Sequence, residues 1–236
     1  IDAAVAGEPV MNALNAPSVD ESVFPRIRPY IGLAETAGKV AAQLLDGRIS
    51  EVEVSYEGDI AEEEVELVTA SALKGVFEPL EWQVNAVNAP QVAEERGIDV
   101  TESKRLQSED FQSLVTVTVG NEKDSLSVCG TLFAGDDPRI VRIDGYRVDA
   151  IPHGKMLVAR NADKPGVIGF IGSVLGDYDI NIAGMFNARR DEEGGEALTV
   201  YNLDDPVPTE VVETLLADDR MIDVKYLTLN GADDEE

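Results

Sequence analysis

The chain of 236 residues is 44% hydrophobic, which is enough apolar material for one large domain or two modest ones. Its 46 acidic residues outnumber 19 basic ones and give a formal charge of -27. This field repels phosphate backbones and anionic lipids, so we expect no nucleic acid and no membrane among the partners. Seven lysines against twelve arginines, in so acidic a chain, are typical of halophilic organisms, where salt screens the repulsion; an ordinary acidic cytosolic protein is the alternative.

The sequence carries few signals of targeting or redox chemistry. Its single cysteine, Cys129, cannot form a disulfide within the chain, and no apolar run approaches the roughly 18 residues that a membrane-spanning helix needs. The first residues lack the basic, apolar and small-residue regions of a secretion signal. We therefore expect a cytoplasmic protein, and the initial Ile1 suggests a piece of a longer chain.

The first hundred residues predict one strand and three helices. Residues 1–23 are punctuated by turn formers and predict no core of their own. Apolar residues at spacings of three and four then predict a long helix that Gly47 ends, and an alternating run predicts a half-buried strand. In chain order the elements are a helix from Pro25 or Pro29 to Leu45, a strand Glu51–Tyr56, a helix Leu67–Pro79 and a short helix that Asn88 caps, Pro90 begins and Gly97 closes.

The following stretch is rich in period-two and β-branched runs, which predict strands. Turn-forming residues stand at Asn121–Asp124 and at Asp144–Gly145, where hairpins need them. Residues 50–151 are therefore expected to form an α+β domain with an antiparallel sheet and two helices. The predicted strands are Ile98–Thr101, Leu114–Val119, Ser125–Phe133, Arg139–Ile143 and Tyr146–Ile151.

A short punctuated joint, Pro152-His153-Gly154, precedes a second pattern of elements. Their order is βαββαβ, the ferredoxin-like arrangement in which two helices cover one face of a four-stranded antiparallel sheet. The last six residues, Gly231–Glu236, predict a solvated acidic tail. The elements are strand Met156–Ala159, helix Pro165–Tyr178, strands Ile180–Ala188 and Ala197–Leu203, helix Pro208–Leu216 and strand Ile222–Leu229.

The turn before the first helix of this second pattern is the main candidate site. We expect Pro165 in the first helical turn, where its missing N–H costs nothing, so that the other backbone donors there remain free. Such a helix N-terminus can hold a carboxylate, and Asn161 and Asp163 add an amide and an acceptor. The alternative for Asp163 is an ordinary capping role.

Four glycines recur at helical spacing in this helix, which leaves one stripe small enough to approach a sheet or a ligand closely. The stripe is not a dinucleotide-binding fingerprint, because its first spacing is wrong and the glycines lie within the helix. We therefore expect no dinucleotide site. The glycines are Gly166, Gly169, Gly172 and Gly176.

The run from "NADKPGVIGFIGSVLGDYDINIAGMFNARR" to "GGEALTVYNLD" resembles the ACT domain that closes many D-3-phosphoglycerate dehydrogenases. In that family a serine effector lies between two ACT domains. The resemblance therefore implies self-association through this domain and a bound amino acid, with L-serine the implied effector. His or Tyr often stands where this chain has Asn161, so an amino acid is implied more firmly than serine itself. The implied effector-binding residues are Asn161, Asp163, Pro165, Gly166, Val167, Asn181 and Ile182.

The resemblance extends upstream, through "RPYIGLAETAGKVAAQLLDG" and "VEVSYEGDIAEEEVELVTASALKGVFEPL", to the intervening domain of the longer enzymes. "GEPVMNALNAP" is similar to the last stretch of their substrate-binding domain. The resemblance implies that the glycine loop for NAD and the catalytic residues lie before this chain. We therefore expect no catalytic residue and no cofactor in the chain itself. The implied organisation is 1–24 as remnant and linker, 25–152 as intervening domain, 153–230 as ACT domain and 231–236 as tail.

Three further features carry weaker hypotheses. The only histidine, His153, has no second histidine or nucleophile to work with, and we expect a linker role. No acidic group has metal-loop spacing, and Cys129 is expected to be a small buried group. Arginines crowd two predicted strands and are candidates for binding an anion, as matching positions do in some longer enzymes of the family; pairing with surface carboxylates is the alternative. They are Arg139, Arg142 and Arg147.

Two other functions stay open. Some bacterial L-serine dehydratases combine a similar intervening domain with an ACT domain, although one cysteine cannot supply their iron–sulfur cluster. A free-standing amino-acid-binding module is the other alternative.

Overall fold

A computed structural model describes residues 22–80, 83–190 and 195–229. It divides the chain into two units between Pro138 and Arg139. The predicted joint at 152–154 lies inside the second unit, so the boundary by contacts falls earlier than the boundary by sequence pattern. The remnant expected at 1–24 falls almost wholly outside the described residues, as does the acidic tail at 231–236.

Helix α1 of the first unit, Phe24–Leu44, confirms the long predicted helix. Its buried face follows the three-and-four spacing of Leu33, Ala37 and Val40, and Leu45 leaves it in an extended conformation. Helix α2, Glu66–Phe77, is buried along almost its whole length. The two helices pack closely because glycines lie at their contact. The backbones are so near each other there that no side chain would fit between them.

Helix α3, Ala89–Arg96, is the short predicted helix. Gly97 ends it in the left-handed conformation at φ 66°. Asn88 is the N-cap residue, as expected, but its side chain makes no capping hydrogen bond. Asn88 instead accepts a hydrogen bond from the backbone N–H of Asn85 at 2.8 Å and donates to the carbonyl of Gln83 at 3.3 Å, so its amide organises the loop before the helix.

The strands of the first unit lie in the order β2-β1-β3-β4. Strand β1 pairs with β3 in antiparallel fashion but with β2 in parallel, with Glu51 opposite Asp99. The expectation of a wholly antiparallel sheet is therefore wrong at this pair, because α2 and α3 return the chain to the start of β1 as a crossover requires. The bounds are β1 Glu51–Gly58, β2 Asp99–Arg105, β3 Ser113–Gly120 and β4 Ser125–Phe133.

The two expected hairpin turns are confirmed. The Asn121 side chain accepts backbone hydrogen bonds from Lys123 at 2.9 Å and Asp124 at 3.1 Å between β3 and β4. Asp144 and Gly145 both adopt positive φ, 46° and 79°, as a two-residue hairpin loop favours. This second turn joins β5 Asp137–Ile143 to β6 Tyr146–Ala150.

The rest of the second unit has the predicted βαββαβ order of elements. Its four strands are antiparallel wherever they pair, and they lie in the order β10-β7-β9-β8, so β8 and β10 are the edges. The elements are β7 Gly154–Ala162, α4 Val167–Asp177, β8 Ile182–Arg189, β9 Glu196–Leu203, α5 Thr209–Leu216 and β10 Met221–Leu229.

Both helices of this unit pack on one face of the four-stranded sheet. Leu157 and Ala159 of β7 point to this face, as do Tyr201 and Leu203 of β9. Strand alternation places Asn161 on the same face, two residues after Ala159. The core therefore ends in a polar residue at the point where β7 leads into α4.

Candidate functional site

The start of α4 differs in detail from the expectation. The helix begins at Val167, and Gly166 precedes it in the left-handed conformation at φ 89°. Pro165 therefore lies outside the first helical turn, because the left-handed glycine interrupts the helical backbone after it. Gly166 is the N-cap residue and has no side chain with which to cap the helix. The first N–H groups of α4 keep the capacity to bind an acceptor that helix starts possess.

Asn161 lies at the end of β7, below this helix start, and is only 4% exposed. Its Nδ2 donates to the carbonyl of the next residue, Ala162, at 2.7 Å. Its Oδ1 is buried and accepts no hydrogen bond from any part of the chain that the structure describes. A buried acceptor without a donor costs free energy, which a ligand N–H can recover.

Asp163 lies three residues before Gly166, the N-cap residue of α4, and its capping role stays a prediction. Its Oδ2 lies 2.8 Å from Nε of Arg189, the last residue of β8, and its backbone N–H donates to the carbonyl of Gly195 at 2.8 Å. The Asp163 side chain is 15% exposed and that of Arg189 is 53% exposed. The loop is thus held from two sides, and an arginine that sequence reasoning missed stands beside it.

Asn181 and Ile182 lie at the other end of the sheet. Asn181 is exposed and its Nδ2 donates to Oδ2 of Asp204 at 2.6 Å, while Ile182 packs against the core. On strand β9, Ala197 is opposite Asn161 and Leu203 is opposite Ile182. Six strand residues span about 20 Å, so one chain does not bring Asn161 and Asn181 together.

The glycine stripe of α4 faces open space. A side-chain carbon built on Gly169, Gly172 or Gly176 meets no atom within 4 Å. Among the described residues, these three glycines therefore do not approach a sheet closely, so that alternative is wrong for them, and close approach to a ligand stays a prediction. Ile168 on the same helix is 46% exposed, and Met185 on the edge strand β8 is 48% exposed.

Arg220 is a second cation that the sequence reasoning missed. Its guanidinium lies 5.2 Å from the centre of the Phe170 ring, and a side chain on Gly166 would come within 3.5 Å of its Nη1. Its Nε and Nη2 both bond to the carboxylate of Asp218 at 2.7 Å. This pair holds the pKa of Asp218 down at about 2. No spacing signal in the sequence connects these residues to the start of α4.

The three candidate anion-binding arginines lie on the β5–β6 hairpin. Arg142 is directly opposite Arg147 in the ladder. Arg139 has a carboxylate near it, since its Nε lies 3.9 Å from Oδ1 of Asp149. The structure therefore brings two of the three cations together and gives the third an acidic neighbour, so both sequence alternatives have support.

The remaining candidates are His153 and Cys129. His153 lies in the three-residue segment between β6 and β7, where its backbone N–H donates to Ile151 at 3.0 Å. Cys129 is buried, as expected. No group of three or more potential metal ligands is found among the residues that the structure describes. Within the same residues, no helix is both long and apolar enough to cross a membrane.

These features define an α+β chain of two units, the second of which contains a βαββαβ run of elements and a helix start above a buried acceptor. The model of the D-3-phosphoglycerate dehydrogenase intervening domain matches residues 26–144, which are 119 of the 236 residues. The chain therefore belongs to the family of D-3-phosphoglycerate dehydrogenase intervening domains.

Relatives named D-3-phosphoglycerate dehydrogenase match nearly the whole chain. The one from Archaeoglobus fulgidus is 42% identical over 225 residues, and that from Methanocaldococcus jannaschii is 36% identical over 224 residues. The one from Bacillus subtilis is 34% identical over 224 residues. Each match covers 94% of this chain but 42% of the relative. The chain thus spans less than half the length of the relatives it matches.

Proposed function

We propose that this chain is the regulatory region of a D-3-phosphoglycerate dehydrogenase and that its second unit contains an ACT domain that binds an amino-acid effector, L-serine. The observation that carries the proposal is the buried Oδ1 of Asn161, which accepts no hydrogen bond from the described residues and lies below the start of α4, where the N-cap residue is Gly166. The helix N–H groups offer donors for a carboxylate, and Asn161 and Asp163 offer acceptors for an ammonium group. The relatives favour this role over a dehydratase subunit or a free-standing module.

The geometry favours a site shared by two copies. Asn161 and Asn181 are about 20 Å apart along the sheet of one chain, so both can touch one small ligand only if each comes from a different copy. A two-fold axis beside β8 and α4 would place Asn181 of one copy near Asn161 of the other. The open glycine stripe of α4, with exposed Ile168 and Met185, leaves a surface on which a second copy can pack.

In this proposal the effector acts by preferring one arrangement of the paired domains, and that preference shifts the catalytic domains attached to them. The chemistry of 3-phosphoglycerate oxidation and the NAD that it needs would belong to those domains. The sequence given has no GxGxxG loop with which to bind a dinucleotide.

Calorimetric titration of the whole chain with L-serine tests the proposal, with light scattering on the same samples to follow self-association. We expect saturable heat, a stoichiometry near one serine per chain and a shift toward the dimer, with D-serine as the matched control ligand. Asn161→Ala should weaken binding, whereas Asn85→Ala in the first unit should leave it unchanged. Absence of both heat and thermal stabilisation with L-serine and with the other amino acids would overturn the proposal.

We also propose that the β5–β6 hairpin binds a phosphorylated anion. Arg142 and Arg147 are directly opposed in the ladder, so both side chains leave the sheet on the same face. Each guanidinium group has paired N–H donors whose spacing matches that of two phosphate oxygens. Titration with 3-phosphoglycerate at constant ionic strength, followed by the phosphorus resonance, should show binding that Arg147→Gln removes and Arg48→Gln retains. Equal binding by both variants would refute this second site.

A further inference from the structure

A cross-strand row places Arg189 at the start of α4. Ala197 on β9 is opposite Asn161 on one side and opposite Arg189 on the other. Directly opposed residues point to the same face, so the Asn161 and Arg189 side chains both leave the sheet on the helix side, from positions about 10 Å apart. Asp163 reaches across and pairs with Arg189 at 2.8 Å. An acceptor, an anion and a cation thus meet in one row.

We propose that Arg189 is the carboxylate receptor of the effector site, and that the Asp163–Arg189 ion pair opens to admit a zwitterion. This inference rests on the proposed function and adds the residue that selects the ligand. The effector's ammonium group replaces Arg189 as the partner of Asp163, while its carboxylate replaces Asp163 as the partner of Arg189. Each of the two side chains then has a ligand group of opposite charge as its partner, so the exchange leaves no ion unpaired.

Arg189 suits this role better than the neighbouring cations. Its side chain is 53% exposed, and beyond the Nε contact with Asp163 its guanidinium has four further N–H donors on the two Nη atoms. Arg220 instead engages both oxygens of Asp218 and stacks on Phe170. Arg190 lies on the opposite face, where it bonds to Asp144 and covers the ring of Tyr146 at 5.0 Å.

The charge of the whole chain makes a local cation necessary. At -27 the protein repels a free carboxylate, and Asp163 adds a repulsive charge at the site itself. A ligand without an ammonium group meets that repulsion, and a ligand without a carboxylate gains nothing from Arg189. The site therefore selects molecules that carry both groups on one carbon, which describes an α-amino acid.

Calorimetry of the whole chain with L-serine and L-serinamide, in which an amide replaces the carboxylate, tests the role of Arg189. Arg189→Gln should weaken L-serine binding about ten- to a hundredfold, because a charged hydrogen-bonding partner is lost. It should leave serinamide binding nearly unchanged, so the preference for serine over serinamide falls by the same factor. Arg189→Lys keeps the positive charge but lacks the planar guanidinium, so its affinity for L-serine should lie between those of the wild type and Arg189→Gln.

Arg190→Gln is the matched control, since Arg190 is the next residue, is 49% exposed and also pairs with an aspartate, but on the other face. It should change serine affinity less than about twofold. If wild-type protein binds L-serine and Arg189→Gln binds it equally well, this inference fails while the proposed function stands. An equal loss of serine and serinamide binding in Arg189→Gln would indicate a merely structural role and also overturn it. If wild-type protein binds no amino acid, the proposed function fails first. Should Arg189→Gln not fold, as judged by circular dichroism, Arg189→Lys with both ligands decides in its place.

Discussion

The close contact of the first unit's two long helices depends on glycine, and Gly75→Ala tests that dependence. A methyl group on Gly75 would collide with the carbonyl oxygen of Glu35 and would lie 2.7 Å from its carbonyl carbon. Both atoms belong to the backbone of α1, so no side-chain rotation relieves the clash and the helices must move apart. Ion pairs from Lys74 to Glu35 at 2.9 Å and from Lys39 to Glu78, the residue that follows α2, at 3.0 Å resist that movement.

The magnitude follows from two opposing effects. Overpacking against fixed backbone costs about 3 kcal/mol, the upper end of the usual range, while alanine in place of glycine favours the helix by about 1 kcal/mol. We expect a net loss of about 2 kcal/mol in the free energy of unfolding. For a chain of this size that loss lowers the melting temperature by roughly 4–8 °C.

Urea unfolding followed by far-ultraviolet circular dichroism, in buffer with high KCl, measures the change. Gly32→Ala is the control, because Gly32 lies exposed on α1 with no atom within 4 Å of an added carbon and should stabilise by about 1 kcal/mol. A Gly75→Ala midpoint equal to or above that of the wild type would refute the packing argument. Destabilisation of similar size in Gly32→Ala would trace the effect to the helix itself and not to the contact.

Three further predictions concern charge and ionisation. Because the chain carries a charge of -27, its melting temperature should rise as KCl increases from about 0.1 M to about 1 M and the Debye length becomes shorter. A melting temperature that falls over this range contradicts strong self-repulsion. Burial raises the pKa of Tyr201 to about 12. The stability that this tyrosine contributes is therefore intact below pH ~10, its pKa in the unfolded chain, and about 2 kcal/mol of it is lost as the pH rises to about 12. Tyr201→Phe should flatten this decline of the free energy of unfolding with pH, and an unchanged decline in the variant would count against the argument. The Asp218 carboxyl should titrate near 2 by carbon-detected magnetic resonance, and Arg220→Gln should raise its pKa toward the ordinary value, whereas Lys164→Gln should not.

Hydrophobic periodicity was enough to predict most elements of the second unit. Val167, Ile171 and Val174 recur at helical spacing and are buried, and such one-sided patterns leave little choice of element type. The predicted order βαββαβ is the observed one. Helix starts were less certain, because a left-handed glycine such as Gly166 is invisible in the hydrophobic pattern.

The parallel pairing of β2 could not be predicted, since strand polarity leaves no trace in local sequence. Residues 99–105 alternate no apolar face, and all but one are exposed, so the pattern predicted only the first part of the strand. The candidate site shows the same limit. Asn161 and Asp163 stand out beside Pro165, but their relation to Arg189 arises from the register of three strands, which no spacing rule encodes.

The parallel strand β2 also sets the order of events when the first unit folds. Strand β2 can pair with β1 only after residues 59–98 have formed the crossover, whereas β3 and β4 can form a hairpin across a four-residue turn without it. Strand β2 is also the outermost of the described strands in this unit and buries little apolar surface. We therefore expect it to dock last during refolding and to detach first in the native state, so that its amides exchange with deuterium well before those of β3.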